Sequence, residues 1–345
     1  MAREKIISSN SNGQEDDRLN TALRPESLDQ CIGGGDLIEK LRISITAAKQ
    51  RNEPMEHVLL HGPPGLGKTT LAYVIANEMG KNIRVTSGPS LSKASDLIGI
   101  LTNLEHGDVL FIDEIHRLNP AVEEYIYPAM EDFKVDFIVD SGMHSRTINL
   151  PLEPFSLIGA TTRAGLLGPP MRTRFGITHN LEFWSVEDLT ERCRMSADML
   201  NIDYEPNALA SLAKRARGTP RIANRLLRRC RDYSQVKADG RLTGSVVDAA
   251  LQLEGIDELG LDPLDHRFLS TIIETYNGGP VGVEAIAATL GEEADTLVDV
   301  VEPYLLQIGI LARTRQGRKV TPKAAEHLNI TLPAQNGQEG TLFDN

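Results

Sequence analysis

Gly62-Pro63-Pro64-Gly65-Leu66-Gly67-Lys68-Thr69 is the stretch that decides how this chain folds. It has the spacing G-x-x-x-x-G-K-[ST] and stands between an apolar run, His57-Val58-Leu59-Leu60-His61, and a helical pattern from Thr69 to Met79. Strand, glycine-rich loop and helix form the setting in which that spacing cradles phosphate. Glycines let successive backbone N–H groups turn toward one anion, and the helix N-terminus adds the positive end of its dipole. In such a loop Lys68 reaches the β- and γ-phosphates and the Thr69 hydroxyl serves Mg²⁺. ATP with Mg²⁺ is therefore the expected ligand, with Gly65, Gly67 and Thr70 in the same cradle.

Downstream, Val109-Leu110-Phe111-Ile112 reads as a second buried strand, and Asp113-Glu114 sets two carboxylates at its C-terminal end. Ligands of parallel sheets bind at that end. Asp113 suits the metal, directly or through water, and Glu114 suits polarising an attacking water. Leu157-Ile158-Gly159-Ala160 reads as a third strand, and a helical pattern runs from Pro120 to Met130. The alternation predicts a parallel sheet with helices on both faces over residues 20–183.

From 184 to 255 the strand signals stop, and Val186–Met199, Asn207–Arg217 and Arg221–Lys237 show helical spacing. A small all-helical domain follows from that pattern. From 256 to 332, three helices (Asp265–Thr275, Val283–Leu290, Thr296–Ile308) precede two short runs, Ile310–Arg313 and Lys319–Thr321, around a glycine-containing turn. That order predicts a winged helix. Residues 1–19 and 333–345 are polar and lack apolar periodicity, the composition of disordered tails.

A length of 345 residues is too great for one core, and 41% hydrophobic with 24% charged residues is an ordinary globular balance. No run of about 18 apolar residues predicts a membrane span. The first residues lack the apolar stretch of a signal peptide, so a cytoplasmic protein is expected. Cys31, Cys193 and Cys230 are distant from one another and form no CxxC pair, which excludes a disulfide framework and gives no zinc site. A net charge of −12 argues against nucleic-acid binding by the surface as a whole. Salt screens charge beyond about 8–10 Å, however, so only the local surface counts. Arg313, Arg315, Arg318, Lys319 and Lys323 follow one another without an intervening acid. Such a cluster predicts phosphate contacts, which hold DNA without reading its sequence.

The order of these elements resembles the AAA+ ATPases, and the wording is more specific still. Leu23-Arg24-Pro25 with Cys31-Ile32-Gly33, Glu131-Asp132-Phe133, Gly159 to Gly165, Arg217 to Arg229, Gly278 to Gly282 and Glu302-Pro303-Tyr304-Leu305 resemble the RuvB family, over roughly Leu23 to Ile330. The resemblance implies an α/β AAA+ P-loop ATPase domain, a small all-α lid domain and a C-terminal winged-helix domain. It implies an ATP-driven motor for branch migration of Holliday junctions in recombination and repair. Such a motor is a homohexameric ring on duplex arms of a four-way junction held by RuvA, with the RuvC nuclease as a further partner.

The resemblance also assigns residues. Thr162, with Thr161 as the alternative, would sense the γ-phosphate or the water; Arg174, with Arg172 in reserve, would be the arginine finger given to a neighbouring subunit; Arg221 would touch the γ-phosphate in cis. Leu23, Arg24, Glu131, Asp132, Phe133 and Trp184 would line the nucleotide. Phe133 to Leu150 would be the hairpin that docks on RuvA, through Val135, Phe137, Ile138 and Val139, and Arg313 and Arg318 would meet DNA. Arg225, Arg228, Arg229 and Arg231 read as a surface or interface face. The chain departs from the family at Gly34, Trp184 and Ala294 and in the wing sequence Arg313-Thr314-Arg315-Gln316-Gly317-Arg318, which moves one charge by a residue. Gln338 to Phe343 faintly resembles a sliding-clamp docking peptide. Rival readings are a clamp loader or protein remodeller with the same ATP site, and a winged-helix regulator without turnover.

Overall fold

A computed structural model describes residues 23–138 and 147–330. The tails expected at 1–19 and 333–345, the clamp-peptide resemblance at Gln338–Phe343, and Val139 of the hairpin lie outside the described residues. The chain divides into two compact units, one ending at Asp248 and the other starting at Ala249.

The first unit is built on the parallel sheet that the sequence predicts. In chain order its strands are β1 (Val58–His61), β2 (Ile83–Ser87) and β3 (Val109–Asp113), then the pair β4 (Lys134–Ile138) and β5 (Thr147–Pro151), then β6 (Ser156–Thr161) and β7 (Ile177–Asn180). The five parallel strands lie in the order β2-β3-β6-β1-β7. Successive side chains of a strand face opposite sides, and here both sides are apolar. Leu59, Leu110, Ile112 and Leu157 enter one core beneath the helix Pro120–Glu131. Val58, Leu60, Val109, Phe111 and Ile158 enter the other, beneath the helices Gly35–Arg51 and Lys68–Met79. β4 and β5 form a separate antiparallel hairpin, with Val135 opposite Leu150. β2 was not foreseen as a strand. β2 is a partly exposed edge strand, and its pattern Ile83-Arg84-Val85-Thr86-Ser87 lacks the apolar run that marks β1 and β3.

The helical part packs Val186–Met199, Pro206–Lys214 and Pro220–Lys237 together, and the Ser196 hydroxyl bonds Asn224 Oδ1 inside it at 2.8 Å. Proline opens the second and third of these helices, where its missing N–H costs nothing. Of the arginines expected on a surface or interface face, Arg225 and Arg228 are buried in this chain, while Arg229 and Arg231 are partly exposed beside Asp232.

The second unit contains the helices Pro263–Thr275 and Val283–Leu290, a helical run from Ala294 to Gln307, the hairpin β8 (Leu311–Thr314) and β9 (Gly317–Val320), and the helix Pro322–Leu328. Phe268, Leu269, Ile272, Ile286, Leu305 and Ile310 lie in its core. The single helix expected over Thr296–Ile308 is interrupted: Leu297–Val301 is wound as a π-turn before Glu302–Gln307 resumes. Asp257 fastens the start of this unit to its end, bonding His266 Nε2 at 2.9 Å and His327 Nε2 at 2.7 Å. Burial pushes the Asp257 carboxyl up, but the hydrogen bonds to His266 and His327 outweigh it and hold the pKa at about 2. The same bond to Asp257 raises His266.

Candidate nucleotide site and nucleic-acid interface

The loop after β1 turns on glycines. Gly65 and Gly67 have φ of 80° and 97°, and Gly67 caps the helix that begins at Lys68. A Cβ on Gly65 would lie 2.7 Å from Thr219 Cγ2, so the loop touches the start of the helix Pro220–Lys237 directly. Lys68 is only 8% exposed, and its Nζ donates to the carbonyls of Gly62 and Pro63, both at 2.8 Å. Burial drives its pKa down to about 8; Asp113 opposes that shift and Arg221 adds to it. Two neutral carbonyls satisfy N–H groups but leave a buried positive charge without a bonded counterion. That arrangement favours an incoming polyanion. Thr69 and Thr70 sit half-buried on the helix's first turn.

β6 lies between β1 and β3, so its end stands between the phosphate loop and the two carboxylates. Asp113 Oδ1 accepts the Glu114 N–H at 2.9 Å. Glu114 has φ of 47° and pairs with Arg117 at 2.8 Å on the surface. A non-glycine residue in that conformation is strained, and such strain gathers where a side chain must be aimed. Thr161 is fully buried; its hydroxyl lies 2.8 Å from His116 Nδ1 and accepts the Arg163 N–H. Thr162, next to it at the strand end, is half-buried. His116 was not foreseen. A histidine two residues beyond Glu114 was the only signal for it.

Arg24, Trp184 and Arg221 lie by the same helix or its loop, and Leu23 precedes Arg24 in the chain. The Leu23 carbonyl accepts from buried Arg192, and the Arg24 guanidinium lies 4.7 Å over the Tyr73 ring. The Trp184 side chain packs on the core beneath the phosphate-loop helix, and the Trp184 backbone N–H donates to the Gly218 carbonyl at 2.9 Å. The Arg221 N–H approaches the Gly65 carbonyl at 3.4 Å.

Glu131, Asp132, Phe133 and Arg174 form a second group. The Arg174 guanidinium lies 4.4 Å over the Tyr127 ring, pairs with Glu131 at 3.1 Å and bonds the Pro170 carbonyl. Its Nε is buried with no hydrogen-bond partner. Asp132 pairs with Lys134, and the Phe133 ring packs edge-on against Phe155, with centroids 5.8 Å apart. All of these adjoin the core under Pro120–Glu131, on the sheet face opposite the phosphate-loop helix. Arg172 is exposed and bonds the Ala164 carbonyl at 2.6 Å. The pKa of His61, at the end of β1, is lowered by burial, by Lys68 and by Arg172.

In the second unit Arg313 and Arg315 are exposed in the β8–β9 hairpin, and Lys323 bonds the Ile308 carbonyl from the surface. Arg318, expected on DNA with them, is also paired within the unit. It is buried, and its Nε and Nη2 meet Glu302 Oε1 and Oε2 at 2.6 and 3.2 Å. That pair uses the Nε and Nη2 edge of the guanidinium.

No helix among the described residues is long and apolar enough to cross a membrane. No group of three or more His, Cys, Asp or Glu suited to a metal occurs among them. A magnesium ion held by one hydroxyl, one carboxylate and the phosphates of a nucleotide needs no such group. Thr69, on the first turn of the phosphate-loop helix, and Asp113, at the end of β3, are oxygen donors of that kind.

Three family models match the chain in succession: the P-loop domain of the Holliday junction DNA helicase RuvB over residues 23–181, the RuvB AAA lid domain over 184–257, and the RuvB C-terminal winged helix domain over 258–329. Among solved structures, the Thermotoga maritima RuvB Holliday junction branch migration motor is 52% identical, with a TM-score of 0.83 over 90% of this chain and 99% of that one. Two single-residue variants of it match at 52% identity and TM-scores of 0.85 and 0.84, each over 90% of this chain and the whole of the other.

Proposed function

The chain belongs to the RuvB family, a homologue of a Holliday junction branch migration motor, and from that premise we propose how its residues drive DNA. It is an ATP hydrolase that assembles as a homohexameric ring on duplex DNA and moves the junction together with RuvA, in the cytoplasm. RuvC acts on the same junction. The large ATPase domain covers residues 20–183, the lid 184–255 and the winged helix 256–332.

ATP binds at Gly65, Gly67, Lys68, Thr69 and Thr70, with Leu23, Arg24, Trp184 and Arg221 around it. Thr69 and Asp113 hold Mg²⁺, which neutralises phosphate charge when bound. Glu114 orients the attacking water, and Thr162 hydrogen-bonds it or the γ-phosphate. Arg174, with Glu131, Asp132 and Phe133 beside it, belongs to the nucleotide site of the neighbouring subunit. Arg313, Arg315 and Arg318 contact the DNA backbone.

The observation that carries this reading is Arg174: aromatic-backed, half-buried, with a vacant Nε, and with no phosphate-loop residue among its partners. A guanidinium prepared in this way on the far side of the sheet suits a site that another copy completes. Substitutions of a lysine, a proline, an alanine, a threonine and an arginine occur among the Thermotoga maritima structures. At a constant offset of four positions the same residue types stand here as Lys68, Pro220, Ala160, Thr162 and Arg174.

The test is ATP-dependent dissociation of a synthetic four-way junction, with and without RuvA, with Lys68→Ala as control. Dissociation that needs ATP and intact Lys68 supports the reading. Stimulation by a sliding clamp or a protein substrate, and not by junction DNA, would overturn it.

A further inference from the structure

An arginine that serves a neighbouring subunit must be aimed by its own. Several rotatable bonds separate its guanidinium from the backbone, and ordering them at the moment of reaction raises the barrier. Apolar anchors settle the backbone. Arg174 follows the short helix Pro169–Thr173, and Met171 and Phe175, on either side of it, are buried in the core under the helix Pro120–Glu131. The main chain at Arg174 is thereby fixed, and the side chain is left to be oriented.

Tyr127 supplies a seat. Glu123, Tyr127 and Glu131 follow one another along the helix Pro120–Glu131 at the four-residue spacing that puts side chains on one face. The Tyr127 hydroxyl donates to Glu123 at 2.7 Å, which pins the ring at its polar end. Burial and that bond push its pKa up to about 12, so the phenol stays neutral. Arg174 Cζ lies 4.4 Å over the centre of the ring. An aromatic face attracts a cation without taking any of its N–H donors. A carboxylate in the same place would neutralise the charge and occupy the donors that a phosphate needs. Glu131, which pairs with Arg174 at 3.1 Å, is more than half exposed, and an ion pair at such a site contributes little. The Pro170 carbonyl holds Nη1, while Nε is buried with no hydrogen-bond partner. The ring, and not a polar cage, therefore orients the guanidinium.

We propose that Tyr127 is the positioning residue of the arginine finger: its ring holds the Arg174 guanidinium, still charged, ready for the γ-phosphate bound by a second copy of the chain. The proposal rests on the reading of Arg174 as the finger. It makes the turnover of one subunit depend on an aromatic ring in the next.

The test uses the full chain in a steady-state ATPase assay, beside binding of a fluorescent ATP analogue. Tyr127→Leu lowers kcat about 10-fold, the loss of one partly desolvated cation–π seat. Its nucleotide affinity stays within about 2-fold, because the ring adjoins the core on the sheet face opposite the phosphate-loop helix. Tyr127→Phe keeps the aromatic face, gives up only the bond to Glu123, and stays within about 3-fold of the parent. Added to Arg174→Ala, Tyr127→Leu changes turnover no further, since its route to the chemistry is already gone. A mixture of Tyr127→Leu and Lys68→Ala proteins is more active than the mean of the two, because the first lends an intact lysine and the second an intact finger. A defect confined to the fold of the altered subunit is not repaired in this way.

Unaltered turnover by Tyr127→Leu, where Arg174→Ala is inactive, overturns the positioning role alone. Full turnover by Arg174→Ala overturns the finger reading, and the seat falls with it. Tyr127→Phe as impaired as Tyr127→Leu overturns the proposal by assigning the effect to the hydroxyl. So does a mixture with Lys68→Ala that gains nothing where Arg174→Ala with Lys68→Ala recovers. Should Tyr127→Leu be melted at the assay temperature by circular dichroism, Tyr127→Met, unbranched and apolar, takes its place with the same expectations.

Discussion

Lys68 and Arg318 are both cations buried to a similar degree, yet their surroundings prepare them for opposite ends. Lys68 Nζ donates to two neutral carbonyls, with Asp113 acting on it only through space. Arg318 bonds a whole carboxylate through two nitrogens. The first is a charge that burial disfavours until an anion arrives, which is why its pKa falls to about 8. The second is already neutralised by its partner. A buried cation thus announces a ligand when its partners are neutral, and announces none by itself when they are charged.

The most severe way to break the contrast is at its open end. Lys68→Ala should lower ATP hydrolysis by at least about 10²-fold, as removal of one preorganised charge at the reacting phosphate does; a steady-state ATPase assay measures it. Arg174→Ala should retain nucleotide binding, read with a fluorescent ATP analogue, and lose about 10³-fold in turnover. Mixing that variant with Lys68→Ala protein should restore part of the activity, because sites that pair one subunit's lysine with the other's arginine form in mixed rings. Mixtures that stay dead would place the finger elsewhere, with Arg172 the next residue to test. Specific ATPase activity should also climb with protein concentration, since a lone subunit lacks the finger.

At the closed end the effects are smaller. Arg313→Ala should weaken duplex binding and take about 0.9 from the salt slope. The smallest is a pH effect on the second unit. His266 has its pKa raised in the folded state by Asp257, so its contribution is fully present below pH 6.5 and lost as pH rises through the folded value. Asp257, held at about 2, contributes above pH 4 and fails only as pH falls toward 2. Between pH 6 and 8 the melting temperature of this unit should fall by about 1–3 °C, since the site is partly exposed. His266→Asn should flatten that dependence.

The contrast also explains what could be read from the sequence. The phosphate loop was legible because glycine spacing fixes backbone geometry locally, and β1 and β3 because strands apolar on both faces leave continuous hydrophobic runs. The lid helices were legible from their spacing, whereas the hairpin at β4–β5 came only from the family resemblance. Charge carries no such local signature. Arg313 and Arg318 look alike in the sequence, and only the π-turn, which nothing in Leu297-Val298-Asp299-Val300-Val301 advertises, brings Glu302 inward to claim one of them. Arg225 and Arg228, read as part of a surface or interface face, are likewise buried in this chain. The pair Thr161–His116 was out of reach because it joins strand ends far apart in the chain.

The close seat of Gly65 against Thr219 and Arg221 gives the molecule a short fulcrum. The helix that starts there has 18 residues, and at about 1.5 Å each it extends for about 27 Å. A tilt of about 10° at the phosphate end would therefore sweep its tip through about 5 Å, with no intervening linkage to absorb the stroke. A methyl group on Gly65 would wedge that pivot open, separating the grip on phosphate from the swing of the lever.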